Sequence, residues 1–287
     1  MRILLFPGCK VPYYVPHNET SSRLILKKFG VEIEPLEFNC CGYPIRFLDF
    51  KSFILSSARN ISLARRKGLP LVCLCKCCYG TLRYADLLLK QNEELRNEID
   101  ALLHQESLQY REGAEIRHYL NVLYEDIGLE AIQKKVDRPY QGLKVAAHYG
   151  CHILRPRDVV HFDDPVKPTK FEKLIAVTGA QPVDWSLRLQ CCGEPLWDKN
   201  REVSVRLTGN KMTNAKQAGA DYLCAACTHC QIQFDRAGEE LSTLDSTSQA
   251  LPSLLYPQML GLSLGLEPSA LGIDEKHSGL MDLLNPD

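Results

Sequence analysis

Residues Leu69–Gly80 read LPLVCLCKCCYG, and residues Ala220–Gln231 read ADYLCAACTHCQ. Each stretch is a short apolar run suited to a buried strand, then a C-x-x-C step (Cys75/Cys78, Cys227/Cys230), then a helical pattern. Upstream of each lies a Cys-Cys-Gly-x-Pro step, Cys40-Cys41-Gly42 with Pro44 and Cys191-Cys192-Gly193 with Pro195. Further upstream stands a lone cysteine, Cys9 or Cys151, directly after another apolar run, Arg2–Phe6 or Leu143–His148. Ten of the thirteen cysteines therefore occur in one order, written twice. Packing alone does not require such a repeat, whereas soft metal sites and iron–sulfur clusters require thiolates.

Working outward, both halves alternate strand and helix. In the first, Asn18–Phe29 and Lys51–Lys67 read as helices stopped by Gly30 and Gly68, Val31–Leu36 and Leu69–Leu74 as strands, and Tyr79–Leu103 as one long amphipathic helix. In the second, Thr169–Thr178, Asn200–Ala218 and Ile232–Leu241 read as helices, and Gln181–Trp185 and Ala220–Leu223 as strands. Glu112–Glu130 reads as helical, without a counterpart in the second half. This alternation predicts an α/β fold with parallel sheets and right-handed crossovers. Three strands per half then end on or near cysteines, and ligands of open α/β sheets bind beyond strand C-termini. The division is expected near Asp137–Gln141, giving domains of 1–140 and 141–287.

A net charge of −1 and a pI of about 6.7 give no electrostatic footprint for nucleic acid. The opening MRILLFPGCK lacks the apolar length of a signal peptide, and Leu251–Leu266 is broken by Pro252, Pro257 and Gln258. We therefore expect a cytoplasmic chain without a membrane span. The odd cysteine count and the adjacent Cys-Cys pairs point to metal or redox chemistry rather than a disulfide framework.

Ligand chemistry leaves several readings open. A tetrahedral zinc site and a cubane cluster each take four ligands, and each half offers five. A vicinal pair suits two neighbouring iron atoms better than one small ion. The other readings are two zinc sites with spare thiols, metal-free dithiol chemistry at the C-x-x-C steps, and buried cysteines that only pack.

The repeated pattern resembles the cysteine-rich CCG domain. Val145-Ala146-Ala147-His148-Tyr149-Gly150-Cys151-His152 with Arg155-Pro156, Cys227-x-x-Cys230-Gln231-x-Gln233-Phe234-Asp235, and Tyr256-Pro257-Gln258-Met259-Leu260-Gly261-Leu262 resemble the B subunit of heterodisulfide reductase. The resemblance spans essentially the whole chain. It implies two pseudo-symmetric Rossmann-like CCG domains, each holding a noncubane 4Fe-4S cluster on five cysteines. By position these are Cys9, Cys40, Cys41, Cys75 and Cys78, then Cys151, Cys191, Cys192, Cys227 and Cys230. It further implies a catalytic disulfide or thiol oxidoreductase subunit, with the disulfide held between the facing clusters. In a methanogen the substrate would be the coenzyme M–coenzyme B heterodisulfide. Its implied partners in the complex are the C subunit, a ferredoxin-like iron–sulfur protein, and the A subunit, which contains flavin. The chain itself shows no ferredoxin cysteine spacing, no GxGxxG after a strand and no P-loop.

Other readings are an electron-relay CCG subunit of a 2-hydroxy acid or succinate oxidising complex, and a zinc-stabilised assembly subunit. Cys73, Cys77 and Cys224 are extra to the pattern and are expected in the core or just behind the ligands. Cys227/Cys230 is preferred to Cys224/Cys227 because its spacing from the Cys-Cys pair matches the first half. His152 and His148 are candidate proton donors; with His229, they are also candidate hydrogen-bond donors to cluster sulfur. Lys10, Lys76, Arg155 and Arg157 are candidates for attracting an anionic substrate. Trp185 and Trp197 read as core.

Overall fold

The computed structural model describes residues 1–244, 250–273 and 278–284, so the last residues of the 141–287 unit lie outside the description. Two four-stranded sheets form, both wholly parallel. The first runs β2-β1-β3-β4 from Arg2–Phe6 (β1), Glu32–Glu34 (β2), Leu71–Cys73 (β3) and Ile116–His118 (β4). The second runs β6-β5-β7-β8 from Lys144–His148 (β5), Gln181–Val183 (β6), Tyr222–Ala225 (β7) and Ser253–Leu255 (β8). The central strands are buried along almost their whole length, as a sheet covered on both faces demands.

The helices cover those faces as the punctuation predicts. Phe50–Lys67 starts where the Asp49 carboxylate accepts from the Ser52 N–H at 2.9 Å, and stops at Gly68 with φ +65°. Its mate Arg201–Gln217 starts on Asn200, whose side chain accepts from the Val203 N–H at 3.1 Å. Helices Lys76–Gln91 and Thr228–Leu244 begin one residue after Cys75 and Cys227. The second cysteine of each C-x-x-C is thereby placed in a first helical turn, beside the strand end.

Two expectations need correction. The helix expected over Tyr79–Leu103 is two, Lys76–Gln91 and Glu93–Leu103. Asn92 is extended (φ −123°, ψ 103°), and its side chain accepts from the Leu95 N–H at 3.0 Å. A capping asparagine thus starts a new helix where the apolar period continues unbroken. The helix expected over Glu112–Glu130 begins instead as β4, and its helical part follows from Tyr119. It does have a counterpart. β4 runs into helical residues 119–127, and β8 runs into helix Tyr256–Ser263 in the same way. These strands are three residues long, too short for alternation to register.

The helices after the fourth strands tie the halves together. Tyr256–Ser263, buried along its whole length, packs on helix Pro16–Lys28 of the first sheet's unit. The Lys28 ammonium donates to the Leu264 carbonyl at 2.7 Å. Reciprocally, residues 119–127 meet helix Lys170–Ala176, with a Lys170–Glu125 ion pair at 2.6 Å. The connection between the sheets is pinned as well: the Asp137 and Arg138 N–H groups both donate to the Ser263 carbonyl, and the Tyr140 hydroxyl donates to the Met259 carbonyl at 3.0 Å.

Asn92→Ala should lower the unfolding free energy by about 1 kcal/mol, the usual loss of an N-cap. The urea midpoint measures it, and an unchanged midpoint would show that the break does not depend on the cap.

Candidate metal centre

Parallel strands β1, β3, β5 and β7 end at the same edge of their sheets, and the ten repeated cysteines lie in the loops and helix starts beyond. All thirteen cysteines are free thiols. In the first half five sulfurs form a string of contacts, Cys9–Cys40–Cys41–Cys78–Cys75, with Cys40 and Cys9 sulfurs 3.6 Å apart. The second string is Cys151–Cys191–Cys192–Cys230–Cys227. The strings meet end to end where the Cys75 and Cys227 sulfurs lie 3.9 Å apart.

Proton sharing along the strings is uneven. Sulfur hydrogen bonds from Cys41 and Cys9 lower Cys40, and those from Cys227, Cys77 and Cys78 hold Cys75 well below a free thiol. Cys192 is lowered likewise by Cys191 and Cys230. Burial raises Cys227, but its contacts with Cys230 and Cys77 bring it to about 6. Each half therefore holds thiolate character within a contiguous sulfur set, the state that metals bind.

Glycines permit this approach. Gly42 and Gly193 after the Cys-Cys pairs have φ +89° and +97°. A Cβ at Gly8 would stand 2.9 Å from the Cys78 sulfur, and one at Gly150 would collide with the Lys76 side chain.

Of the three extra cysteines, two stay apart from the strings. Cys73 and Cys224 are fully buried strand residues whose thiols burial pushes up. Cys77 does not stay apart: its sulfur clusters with those of Cys75 and Cys227 within 4.8 Å. It also lies 3.8 Å from the Lys76 Nζ and 3.8 Å from the His152 Nδ1.

The flanking residues divide by place. His152 is half-buried, with Nδ1 3.7 Å from the Cys151 sulfur. His148 is wholly buried at the end of β5, with the Cys192 and Cys230 sulfurs, and burial holds its imidazole neutral. Lys76 is only 3 % exposed, with Nζ 3.7 Å from the Cys151 sulfur. Burial opposes its charge, but the surrounding cysteine sulfurs, Cys230 first and then Cys77, Cys227 and Cys151, raise it well above an ordinary lysine. Lys10 is drawn into an ion pair with Glu194 at 2.6 Å, and Arg155 donates to the Leu189 carbonyl at 2.9 Å. Arg157 is exposed. Trp185 is core, its indole donating to the Ala147 carbonyl at 3.1 Å, whereas Trp197 is half-buried beneath the Arg201 guanidinium.

Sequence reasoning missed Tyr43 and Glu194, the two residues at the x of Cys-Cys-Gly-x-Pro. The Glu194 carboxylate bridges Lys10, across the interface, and His229 at 2.9 Å. Tyr43 sits between His152 and His229, with ring centroids 5.5 Å from each. The repeat itself marked the position: the only variable site inside the step is the one that faces the other half.

A cavity of about 510 Å³ opens beside His152. Phe47, Phe50, Phe53 and Tyr84 form apolar walls, and Arg46 and Arg155 bring cations. Both halves contribute to it.

Comparison with known proteins agrees with this geometry. The family model of the cysteine-rich domain CCG matches residues 3–83 and 145–235. The B subunit of the Ferredoxin/F(420)H(2)-dependent CoB-CoM heterodisulfide reductase of Methanosarcina acetivorans is 33% identical over 96% of this chain and 93% of its own length. The 8-methylmenaquinol:fumarate reductase membrane anchor subunit of Wolinella succinogenes is 29% identical over 94% of both chains. Among the described residues here, no helix is long and apolar enough to cross a membrane. The crystal structure of a hypothetical protein from Helicobacter pylori shares the fold, with TM-score 0.75 and 19% identity over 96% of this chain and 51% of that one. The duplicated domain and its sulfur clusters suit iron–sulfur binding.

The Glu194 bridge is testable in the cluster-free chain. Burial opposes ionisation of this part-buried carboxyl, but His229 and Lys10 outweigh it and hold the group at about 2, below the ordinary 4.5. Its contribution is full above pH 4.5 and is lost as pH falls toward 2. His229 loses charge through burial but regains more from Glu194, so it lies above 6.5; its contribution is full below pH 6.5 and fades as pH rises through the raised value. Glu194→Gln should therefore cost most between pH 4.5 and 6.5, about 2–4 kcal/mol for one partner of a buried pair. Urea unfolding at pH 6 and pH 3 measures it; an equal loss at both would contradict the bridge.

Proposed function

We propose a function for this chain from one premise: it belongs to the family of heterodisulfide reductase B subunits, whose members are components of oxidoreductase complexes. The chain serves as the catalytic disulfide or thiol oxidoreductase subunit, in the cytoplasm, with 1–140 and 141–287 as its two units. The observation that carries this reading is the end-to-end meeting of two five-sulfur strings, together with a cavity lined from both halves whose His152 touches the Cys151 and Cys77 sulfurs.

Cys9, Cys40, Cys41, Cys75 and Cys78 would hold one noncubane 4Fe-4S cluster, and Cys151, Cys191, Cys192, Cys227 and Cys230 the other. When bound, two such clusters supply one electron each, matching the two that a disulfide needs. The fit rests on contiguous sulfur contacts and on glycines where a Cβ would obstruct the approach.

The chain's own residues do the rest. The aromatic walls take an apolar thiol body, and Arg46 and Arg155 orient an anionic end. His152, which lines the cavity and touches the Cys151 sulfur, stands where a proton can be passed to a departing thiolate. Lys76 supplies a fixed positive charge beside Cys151 and Cys77. The balance is one disulfide, two electrons and two protons giving two thiols, or the reverse. Electrons arrive from, or leave to, the ferredoxin-like C subunit and the flavin-containing A subunit of the complex.

The similarity to a subunit named for 8-methylmenaquinol:fumarate reductase favours a second reading, an electron relay in a complex that acts on succinate or fumarate.

Protein purified without oxygen should contain iron and acid-labile sulfide in equal amounts, and Cys192→Ala should halve both. Zinc without iron or sulfide would overturn the cluster reading in favour of a zinc-stabilised assembly subunit. Added disulfides should reoxidise the reduced protein and perturb its EPR signals; silence toward every disulfide and thiol tested would favour the relay.

A further inference from the structure

The two sulfur sets lie at equivalent strand ends, so differences between equivalent residues can be read directly. In the first sheet Phe6 pairs with Cys73, and the Leu74 N–H donates to the Phe6 carbonyl at 3.1 Å. In the second, His148 pairs with Ala225, and the Ala226 N–H donates to the His148 carbonyl at 3.2 Å. Phe6 and His148 each precede the lone cysteine of their set by three residues. The same backbone seat thus carries a hydrocarbon ring in one half and an imidazole in the other.

Phe6 fills its seat by packing against Phe38, ring centroids 5.2 Å apart. His148 cannot be accounted for that way. Its ring is 0 % exposed, and neither ring nitrogen has a hydrogen-bond partner. Phe234 packs against the ring in a T-shaped arrangement, centroids 5.0 Å apart, and brings no oxygen or nitrogen to it. The Arg188 carbonyl is close enough to affect the ring's titration but falls outside hydrogen-bonding geometry. What does lie within reach is sulfur: a ring nitrogen and the Cys192 and Cys230 sulfurs all fall within 4.8 Å of one another. A fully buried imidazole without a partner is costly, and such a group in a native core calls for one.

We propose that His148 contacts the iron–sulfur centre of the second set through a ring nitrogen, giving that centre a nitrogen neighbour that the first lacks and making it the more readily reduced of the two. The inference rests on the reading that Cys151, Cys191, Cys192, Cys227 and Cys230 hold such a centre. Hydrogen bonds to cluster sulfur, and imidazole in place of thiolate, both favour the reduced state by offsetting its added negative charge. His148 is thus a positioning and tuning residue, sealed from the substrate cavity, and the two centres of an outwardly duplicated frame are electronically unlike.

The test uses the anaerobically purified, cluster-containing full chain, with iron and sulfide assayed first. Pulsed EPR on protein carrying 15N-histidine should show a nitrogen coupling that is lost in His148→Phe and kept in His152→Phe and His229→Phe. EPR-monitored redox titration should show one midpoint falling in that variant by at least tenfold in its equilibrium, about 59 mV for a one-electron couple, while the other midpoint stays. Unchanged coupling and unchanged midpoints in a His148→Phe protein that keeps its iron would overturn the proposal. If that variant loses iron from the second set, His148→Asn, which keeps an N–H, must retain it; loss in both overturns the proposal in favour of a packing role. A wild-type chain without iron at the Cys151 set overturns this inference and the reading beneath it. Iron present with midpoints insensitive to His148 overturns this inference alone.

Discussion

Everything in this molecule depends on parallel strands stopping at a common edge. In a right-handed β–helix–β crossover, each strand returns in the same direction, so the turns after β1 and β3 emerge side by side, as do those after β5 and β7. A cysteine placed just past each strand end is delivered to one spot without any long-range contact to steer it. The Cys-Cys-Gly-x-Pro steps add two more sulfurs on short loops, where Gly42 and Gly193 adopt the left-handed backbone that lets the loop turn back (φ +89° and +97°). The cost of crowding thiols is met by sharing protons along a string, so that some carry the charge that their neighbours decline.

Duplication supplies the frame, and the departures from it supply the chemistry. Lys10 stands where the second half has His152, Lys76 where it has Thr228, Cys77 where it has His229, and Tyr43 where it has Glu194. Members of these pairs reach across the interface to other residues. Glu194 reaches Lys10, and Tyr43 reaches His152 and His229. Lys76 reaches Cys151, and the Thr228 hydroxyl accepts from the Asn18 amide at 3.2 Å. A symmetric pair of halves would lose the Lys10–Glu194 ion pair, since it needs a cation on one side and a carboxylate on the other. Divergence at the x position lets a carboxylate answer two cations on one side, and an aromatic ring separate two imidazoles on the other.

Much of this was legible in the residues. Apolar runs ending in cysteine marked β1, β3, β5 and β7, and glycine stops such as Gly68 marked helix ends to within a residue or two. The cysteine order marked the sulfur strings, and matching spacings chose Cys230 over Cys224, which lies in β7 away from the strings. What escaped is short or non-periodic. β4 and β8 have three residues each and no alternation. The break at Asn92 is a capping event inside a continuous apolar period. Tyr43 and Glu194 escaped because their partners come from the other half or from a distant strand end, and local pattern carries no information about who faces whom.

The exchanged helices have a consequence for biosynthesis. By the time a ribosome has released residue 140, all five cysteines of the first set exist, yet the helix that covers Pro16–Lys28 has not been translated; it is Tyr256–Ser263, more than a hundred residues further on. The first half therefore emerges with the flank around Ile25 and Leu26 uncovered, and that flank is closed only when the distant stretch of the message is read. Maturation is then ordered by translation itself.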